Sequence, residues 1–312
     1  MFSGLRKKGT LIVLVVMVSI ISLLVGCGGN KAAQDQGKSG KKVIGLSIST
    51  LNNPFFVDLK DGAQAAAKEL GIELVVMDAQ NDASKQMANI ENLVQQKVSV
   101  LIVNPVDSKA VVSAIEAANK ANIPVITVDR GADGGKIVSA IASDNVAGGK
   151  MAAQLLIDKL GGKGKIIELE GIPGSSAAND RGKGFDDGIK AATGIALAAK
   201  QPADFDRAKG MKVMENILQA NPEIQAVFAQ NDEMALGAVE AIKAAKRQNV
   251  LVVGFDATAD AIKAVDSGDM LATVAQKPKD MGKVSIETAQ KIMSGETVPE
   301  SIPVALELIV KK

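Results

Sequence analysis

From Lys42 onward the chain alternates short apolar runs with longer segments in which apolar residues recur every three to four positions. The short runs are VIGLSIS, ELVVMDA, VSVLIVN, IPVITVD, KIIELEG, IQAVFAQ, VLVVGFD and MLATVAQ, each a few residues long and rich in Val and Ile. Such continuous apolar runs predict strands buried on both faces. The longer segments, among them FFVDLKDGAQAAAKELG, ASKQMANIENLVQQ, DSKAVVSAIEAANKAN, NVAGGKMAAQLLIDKLG and RAKGMKVMENILQAN, predict amphipathic helices, several of which close on Gly or Asn. Strand-helix repetition of this kind predicts an α/β protein with parallel sheets covered by helices. Eight strands suit two doubly wound domains better than one, and a (β/α)8 barrel is the rival arrangement. Both place function at the carboxyl ends of the strands.

The residues leaving those ends share one chemistry. They are Asn52-Asn53-Pro54-Phe55-Phe56, Asn104-Pro105, Asp129-Arg130, Gln230-Asn231-Asp232, Phe255-Asp256 and Gln276, with Arg181 and Phe205 in the loops ANDRGKGF and PADFDR. Amides offer a donor and an acceptor in one plane, carboxylates accept twice, and guanidiniums donate in a fork. A ligand with several hydroxyls needs this inventory, because each buried hydroxyl must be matched as donor and as acceptor. Phenylalanine rings can cover the C–H faces of a sugar without adding an unmatched polar atom. Asp129 and Asp256 balance Arg130 and Arg181, which favours a neutral ligand if the four meet. Each residue alone also has a plainer reading: an Asn or Asp at a strand end can be a helix cap, Asn-Pro can be turn chemistry, and Phe55 or Phe56 can be core.

Composition narrows the function further. The 312 residues are 47% hydrophobic and 23% charged with a formal net charge of +1, so nothing calls for a nucleic-acid partner. Histidine is absent, which removes the commonest general base and most catalytic zinc sites. There are 7 Phe and no Trp or Tyr, so paired phenylalanines at a turn use a scarce residue. GKS at 37–39 imitates the end of a phosphate-binding loop, but the required earlier glycine is Ala32 and no strand precedes it.

The N-terminus has a basic start at Arg6, Lys7 and Lys8, an apolar run from Leu11 to Val25, and small residues before the lone cysteine, Cys27. This is the layout of an export signal. LVGC at 24–27 resembles the lipobox of bacterial lipoproteins, which implies a signal peptide over 1–26 and lipidation of Cys27. The polar, glycine-rich stretch 27–41 then reads as a flexible tether to the membrane.

STLNNPFFVDLKDGAQAAAKELG, NPVDSKAVVSAIEAANKANIPVITVDR, IASDNVAGGKMAA, QPADFDRAKG, AVFAQNDEMALGAVEAI and VVGFDAT together resemble the ribose-binding members of the type I periplasmic binding proteins, the substrate-binding components of ABC importers. The resemblance runs from about Val43 to the C-terminus. It implies two Rossmann-like domains, 42–143 plus 277–305 and 144–276 plus 306–312, joined near Ser143–Asn145, Gln276–Lys277 and Val304–Leu306. The implied D-ribose contacts are Asn53, Phe55, Phe56, Asn104, Asp129, Arg130, Arg181, Phe205, Asn231, Phe255, Asp256 and Gln276, with Phe56 and Phe205 sandwiching the ring. It implies a monomer that delivers its sugar to a permease, with a chemoreceptor as a further candidate partner, and no reaction, cofactor or metal. Two places depart from the family pattern: the stretch AATGIALAAKQ, read as a loop before Phe205, and Asn179 in place of an arginine. Other small sugars, a sugar-responsive transcription regulator and a histidine-free enzyme remain the competing readings.

Overall fold

A computed structural model describes residues 42–311. The expected signal peptide, tether and lipidated Cys27 lie outside the described residues. In chain order the elements are β1 (Val43–Ile48), α1 (Pro54–Glu69), β2 (Glu73–Asp78), α2 (Ala83–Gln95), β3 (Val100–Val103), α3 (Val112–Lys120), β4 (Val125–Val128), β5 (Ser139–Ser143), α4 (Asn145–Lys159), β6 (Gly164–Glu170), α5 (Ser176–Ile189), β7 (Ile195–Pro202), α6 (Arg207–Ala220), β8 (Ala226–Ala229), α7 (Asp232–Ala244), β9 (Leu251–Asp256), α8 (Ala259–Ser267), β10 (Ala272–Ala275), α9 (Pro278–Met293), β11 (Ser301–Val304) and β12 (Glu307–Val310).

Two six-stranded sheets result, ordered β11-β5-β4-β3-β1-β2 and β12-β10-β9-β8-β6-β7. Every strand pair is parallel except β10 with β12. Two open sheets exclude the barrel. Each repeats the same winding, in which the order reverses beside the sheet's first strand, between β1 and β3 and again between β6 and β8. Ligand crevices form outside the carboxyl ends of strands at such switch points.

The central strands β3, β4 and β8 are buried along their whole length, as their Val, Ile, Leu, Ala and Phe require, with Thr127 of β4 the one polar residue among them. Helices α1 and α9 cover one face of the first sheet, where Ile44, Leu46, Leu59, Ile102, Met281 and Ile286 form a core. The two helices approach closely because Gly282 lies against the backbone of Leu59, where a Cβ would come within 2.0 Å of its carbonyl oxygen.

Four of the strands, β5, β7, β11 and β12, escape the apolar-run reading. β7, read from the sequence as a loop, is a half-exposed edge strand in which Ala, Lys and Gln replace the expected Val and Ile. β11 and β12 are edges too, four residues each and partly exposed, too short to give a continuous apolar run. Pro303 in β11 is tolerated at an edge because its missing N–H breaks no central ladder. β5 is short, with small side chains that give little hydropathy signal.

The chain passes between the sheets after β5, after β10 and after β11. Two backbone-directed hydrogen bonds also connect the strand-end loops of the two sheets: Ser108 N–H donates to Gly174 O at 3.0 Å, and Gly131 N–H donates to Ser176 Oγ at 2.8 Å. Among the described residues no helix is long and apolar enough to cross a membrane, and no group of three or more His, Cys, Asp or Glu could hold a metal ion.

Candidate functional site

The turn after β1 builds the first wall. Asn53 caps α1, its Oδ1 accepting from Phe55 N–H at 2.9 Å, and Pro54 supplies the fixed φ of a first helical turn. The cap sets the direction of the two following side chains. Phe55 and Phe56 meet edge to face, centroids 5.1 Å apart and planes at 89°, and both are buried against the first-sheet core. The plain readings of Asn53 as a cap and of these rings as core are therefore correct, and all three residues nevertheless line the cavity described below.

The ends of β3 and β4 supply the charged groups of this wall. Asn104 is fully buried and spends its amide within the sheet: Oδ1 accepts from Ser49 N–H at 3.1 Å, and Nδ2 donates to Val128 O at 3.0 Å and to Asp129 Oδ2 at 3.3 Å. Asp129 has a left-handed backbone, φ 65°, that Asp tolerates better than most residues. Arg130 donates from Nη1 to Pro105 O at 3.2 Å, and its guanidinium lies 5.0 Å from the Phe56 ring and 5.3 Å from the Phe205 ring. Phe205 belongs to the second sheet's core, so this cation bridges aromatic rings from both sheets.

On the opposite wall Arg181 projects from α5. Its Nε donates to Asn145 Oδ1 at 2.8 Å and its Nη1 to Gln230 O at 2.7 Å, while Nη1 stands 3.7 Å from Asp256 Oδ1. The Phe255 ring backs the guanidinium at 3.8 Å. Gln276 Nε2 donates to Asp256 Oδ1 at 2.8 Å. Asn231 caps α7 through Met234 N–H at 3.0 Å and donates from Nδ2 to Phe205 O at 3.3 Å. Behind this wall the side chain of Gln230 joins Gly171 N–H to the buried Glu168 carboxyl, which also meets Lys200 at 3.0 Å.

Ten of the twelve residues named from the sequence line one cavity: Asn53, Phe55, Phe56, Asp129, Arg130, Arg181, Phe205, Asn231, Asp256 and Gln276, joined by Ala177. Asn104 and Phe255 do not line it. Asn104 stands behind Asp129, and Phe255 behind Arg181. The cavity is small: its walls stand close together and leave about 10 Å³ for the centre of a water-sized sphere. Three of its residues carry buried polar atoms with no hydrogen-bond partner: Asp129 Oδ1, Arg130 Nε and Gln276 Oε1. Two acceptors and a donor, each costly to leave unmade, thus belong to residues lining one small space.

The two guanidiniums face two carboxyl groups here, so the formal charges cancel as the sequence suggested. Burial pushes the Asp129 carboxyl upward, with Arg130, Arg181 and the Asn104 hydrogen bond pulling the other way. Burial likewise raises Asp256 well above the ordinary carboxylate range despite Arg181. The same loss of water draws Arg130 down to about 10, which leaves it charged at neutral pH. A neutral ligand rich in hydroxyls suits this lining, whereas an anion would meet two buried carboxyl groups.

Asn145, Gln230 and Ala177 were not among the sequence's site residues. Gln230 stood in view as a strand-end amide; Asn145 reads as helix start beside Asp144, which does cap α4, and Ala177 carries no chemical signal. Asn179 is exposed on α5 and does not line the cavity.

The chain is similar to known proteins in sequence and in fold. Residues 44–297 match the family described as periplasmic binding protein domain. The chain is 50% identical over 299 residues to the ribose import binding protein RbsB of Escherichia coli (strain K12), covering 96% of this chain and 98% of that protein. It is 52% identical over 296 residues to the protein of the same name from Haemophilus influenzae, covering 95% and 98%. A solved solute-binding protein of an ABC transporter from Bacillus halodurans, with bound myo-inositol, superposes with a TM-score of 0.84 at 36% identity, covering 88% of this chain and 96% of that one.

Proposed function

Because this chain belongs to the periplasmic binding protein domain family, we propose that it is an extracytoplasmic receptor which captures D-ribose in the cavity between its two sheets and delivers it to an ABC importer. The observation that carries this reading is the set of three buried atoms without a hydrogen-bond partner, Asp129 Oδ1, Arg130 Nε (3.7 Å from Asp129 Oδ2) and Gln276 Oε1, on residues that line one charge-balanced cavity with Phe56 and Phe205. Ribose hydroxyls would donate to the two oxygens and accept from the nitrogen. The ring's C–H faces would rest on the phenylalanines. Asn104 and Phe255 act one layer back, fixing Asp129 and Arg181.

The lobes are 42–143 plus 277–305 and 144–276 plus 306–312, hinged at the three passages between the sheets. Ribose touching both walls has a higher affinity for the closed arrangement and shifts the population toward it. The Ser108–Gly174 and Gly131–Ser176 hydrogen bonds belong to that closed arrangement. The importer reads closure, and no bond in the sugar is made or broken. A lipid on Cys27, following a signal peptide over 1–26, tethers the receptor to the membrane through 27–41.

Calorimetric titration tests the reading. Ribose should bind one to one, with allose, xylose and galactose at least tenfold weaker; tighter binding of one of these would move the assignment to that sugar, and turnover of ribose to any product would overturn the receptor reading.

A further inference from the structure

Asp232 takes no part in lining the cavity, yet it is a fully buried carboxyl at the start of α7, and its oxygens are engaged by Thr258 in the loop after Asp256 and by Thr273 on β10. Oδ2 accepts from Thr258 N–H at 2.7 Å and Thr258 Oγ1 at 3.1 Å, and Oδ1 accepts from Thr273 Oγ1 at 2.7 Å. Thr273 Oγ1 in turn accepts from Ala257 N–H at 3.1 Å. Thr258 sits at the N-cap of α8 but makes no side-chain cap bond there, its hydroxyl being given to Asp232. On β9, Gly254 leaves the room: a Cβ at that position would come 2.3 Å from Asp232 Oδ1.

The loop held in this way is strained. Asp256 has φ 124° and Ala257 has φ 57°, and neither is glycine. Alanine has no polar side chain to compensate a left-handed backbone, and the region occupied by Asp256 is one that L-residues seldom adopt. Such conformations persist only where surrounding contacts over-determine them. Here the strained pair turns the chain so that the Asp256 carboxyl faces Arg181 and Gln276.

We propose that Asp232 and Thr273 form a positioning clamp that holds the strained 256–257 turn and so presents Asp256 to the bound sugar. The inference rests on the ribose-receptor reading for its ligand but not for its geometry. The clamp sets how well the site is preorganised: without it the turn relaxes and part of the binding free energy goes to restoring it.

The test uses the full chain with Thr273→Val, which keeps the shape and removes the shared hydroxyl, Thr273→Ser, which restores a hydroxyl, and Ala257→Gly, which relieves the left-handed strain. Ribose affinity should fall at least tenfold in Thr273→Val, stay within about twofold of the parent in Thr273→Ser and in Ala257→Gly, and recover most of the loss in the Thr273→Val/Ala257→Gly double variant. A role in stability alone would lower the melting temperature of Thr273→Val without this rescue pattern. Crystal structures of the ligand-free parent and Thr273→Val give a readout independent of ribose. If Ala257 keeps its positive φ and Asp256 stays beside Arg181 in the variant, the clamp is overturned. Failure of the parent to bind ribose overturns the receptor reading instead, and the structures still decide the clamp.

Discussion

Asn104 donates to Asp129 Oδ2 at 3.3 Å and leaves Oδ1 of the same carboxyl buried without a partner. The pair divides the work of one wall: the amide is spent on the protein, and half of the carboxyl is free for a ligand. Their substitutions should therefore separate function from fold. Asp129→Ala should cost ribose affinity tenfold to about a hundredfold, as expected for one hydrogen bond to a charged group, with little change in the melting of the empty protein. Asn104→Ala strips the partner from buried Ser49 N–H and should lower stability by about 1–3 kcal/mol even without sugar. Denaturant unfolding and titration of both variants check this, and unfolding of Asp129→Ala would assign that residue a structural role.

Phe56 belongs at once to the first-sheet core and to the cavity. Truncation to Ala confounds the two by removing about 3–5 kcal/mol of core packing. Phe56→Leu keeps most of the buried volume but not the flat face, so it should weaken ribose binding roughly tenfold while costing less than about 1.5 kcal/mol of stability. Normal affinity in a folded Phe56→Leu protein would remove the stacking role.

Closure predicts a third outcome. Ser176→Ala deletes the acceptor of Gly131 N–H across the two lobes. One hydrogen bond of about 0.5–1.5 kcal/mol corresponds to a two- to tenfold loss of affinity. Since the bond belongs to the closed form, the unfolding midpoint of the sugar-free protein should not move, which thermal melts with and without ribose will show.

Much of this is legible in the sequence alone. Unbroken apolar runs marked the central strands because parallel strands are buried on both faces, and Asn53, Asp129 and Asp256 stood out because they end such runs. The edges β7 and β11 were not legible, since half-exposed strands lose the apolar continuity that marks a strand. Nor were the divided duties within the site. Asn104 and Asp129 look alike as polar strand ends, and only the hydrogen-bond partners reveal which one is spent. Asp232 reads as an ordinary first-turn acid, although it reaches to Thr258 and Thr273, 26 and 41 positions away.

Glu168 supplies a pH dependence. Burial raises its carboxyl to about 7, against the opposing pull of the Gln230 hydrogen bond and of Lys200. The folded state then holds this proton more tightly than the unfolded chain, whose value is 4.5. Its contribution is complete below pH 4.5 and is lost as pH rises through 7, by roughly 3 kcal/mol. Relative to Glu168→Gln, the parent should therefore lose stability between pH 5 and 8 in paired denaturant melts; a constant difference would show that Glu168 does not titrate there.

The most direct measurement of the central claim is thermal unfolding of the purified protein against a panel of monosaccharides. At 1,000 times its dissociation constant, a ligand that binds only the folded state adds about 4 kcal/mol. Ribose should give a shift of that size at the lowest concentration of any sugar tested, and at that same concentration the stabilisation should fall to about 1.4–2.7 kcal/mol in Asp129→Ala. No shift with ribose beside a clear one with another sugar would contradict the account.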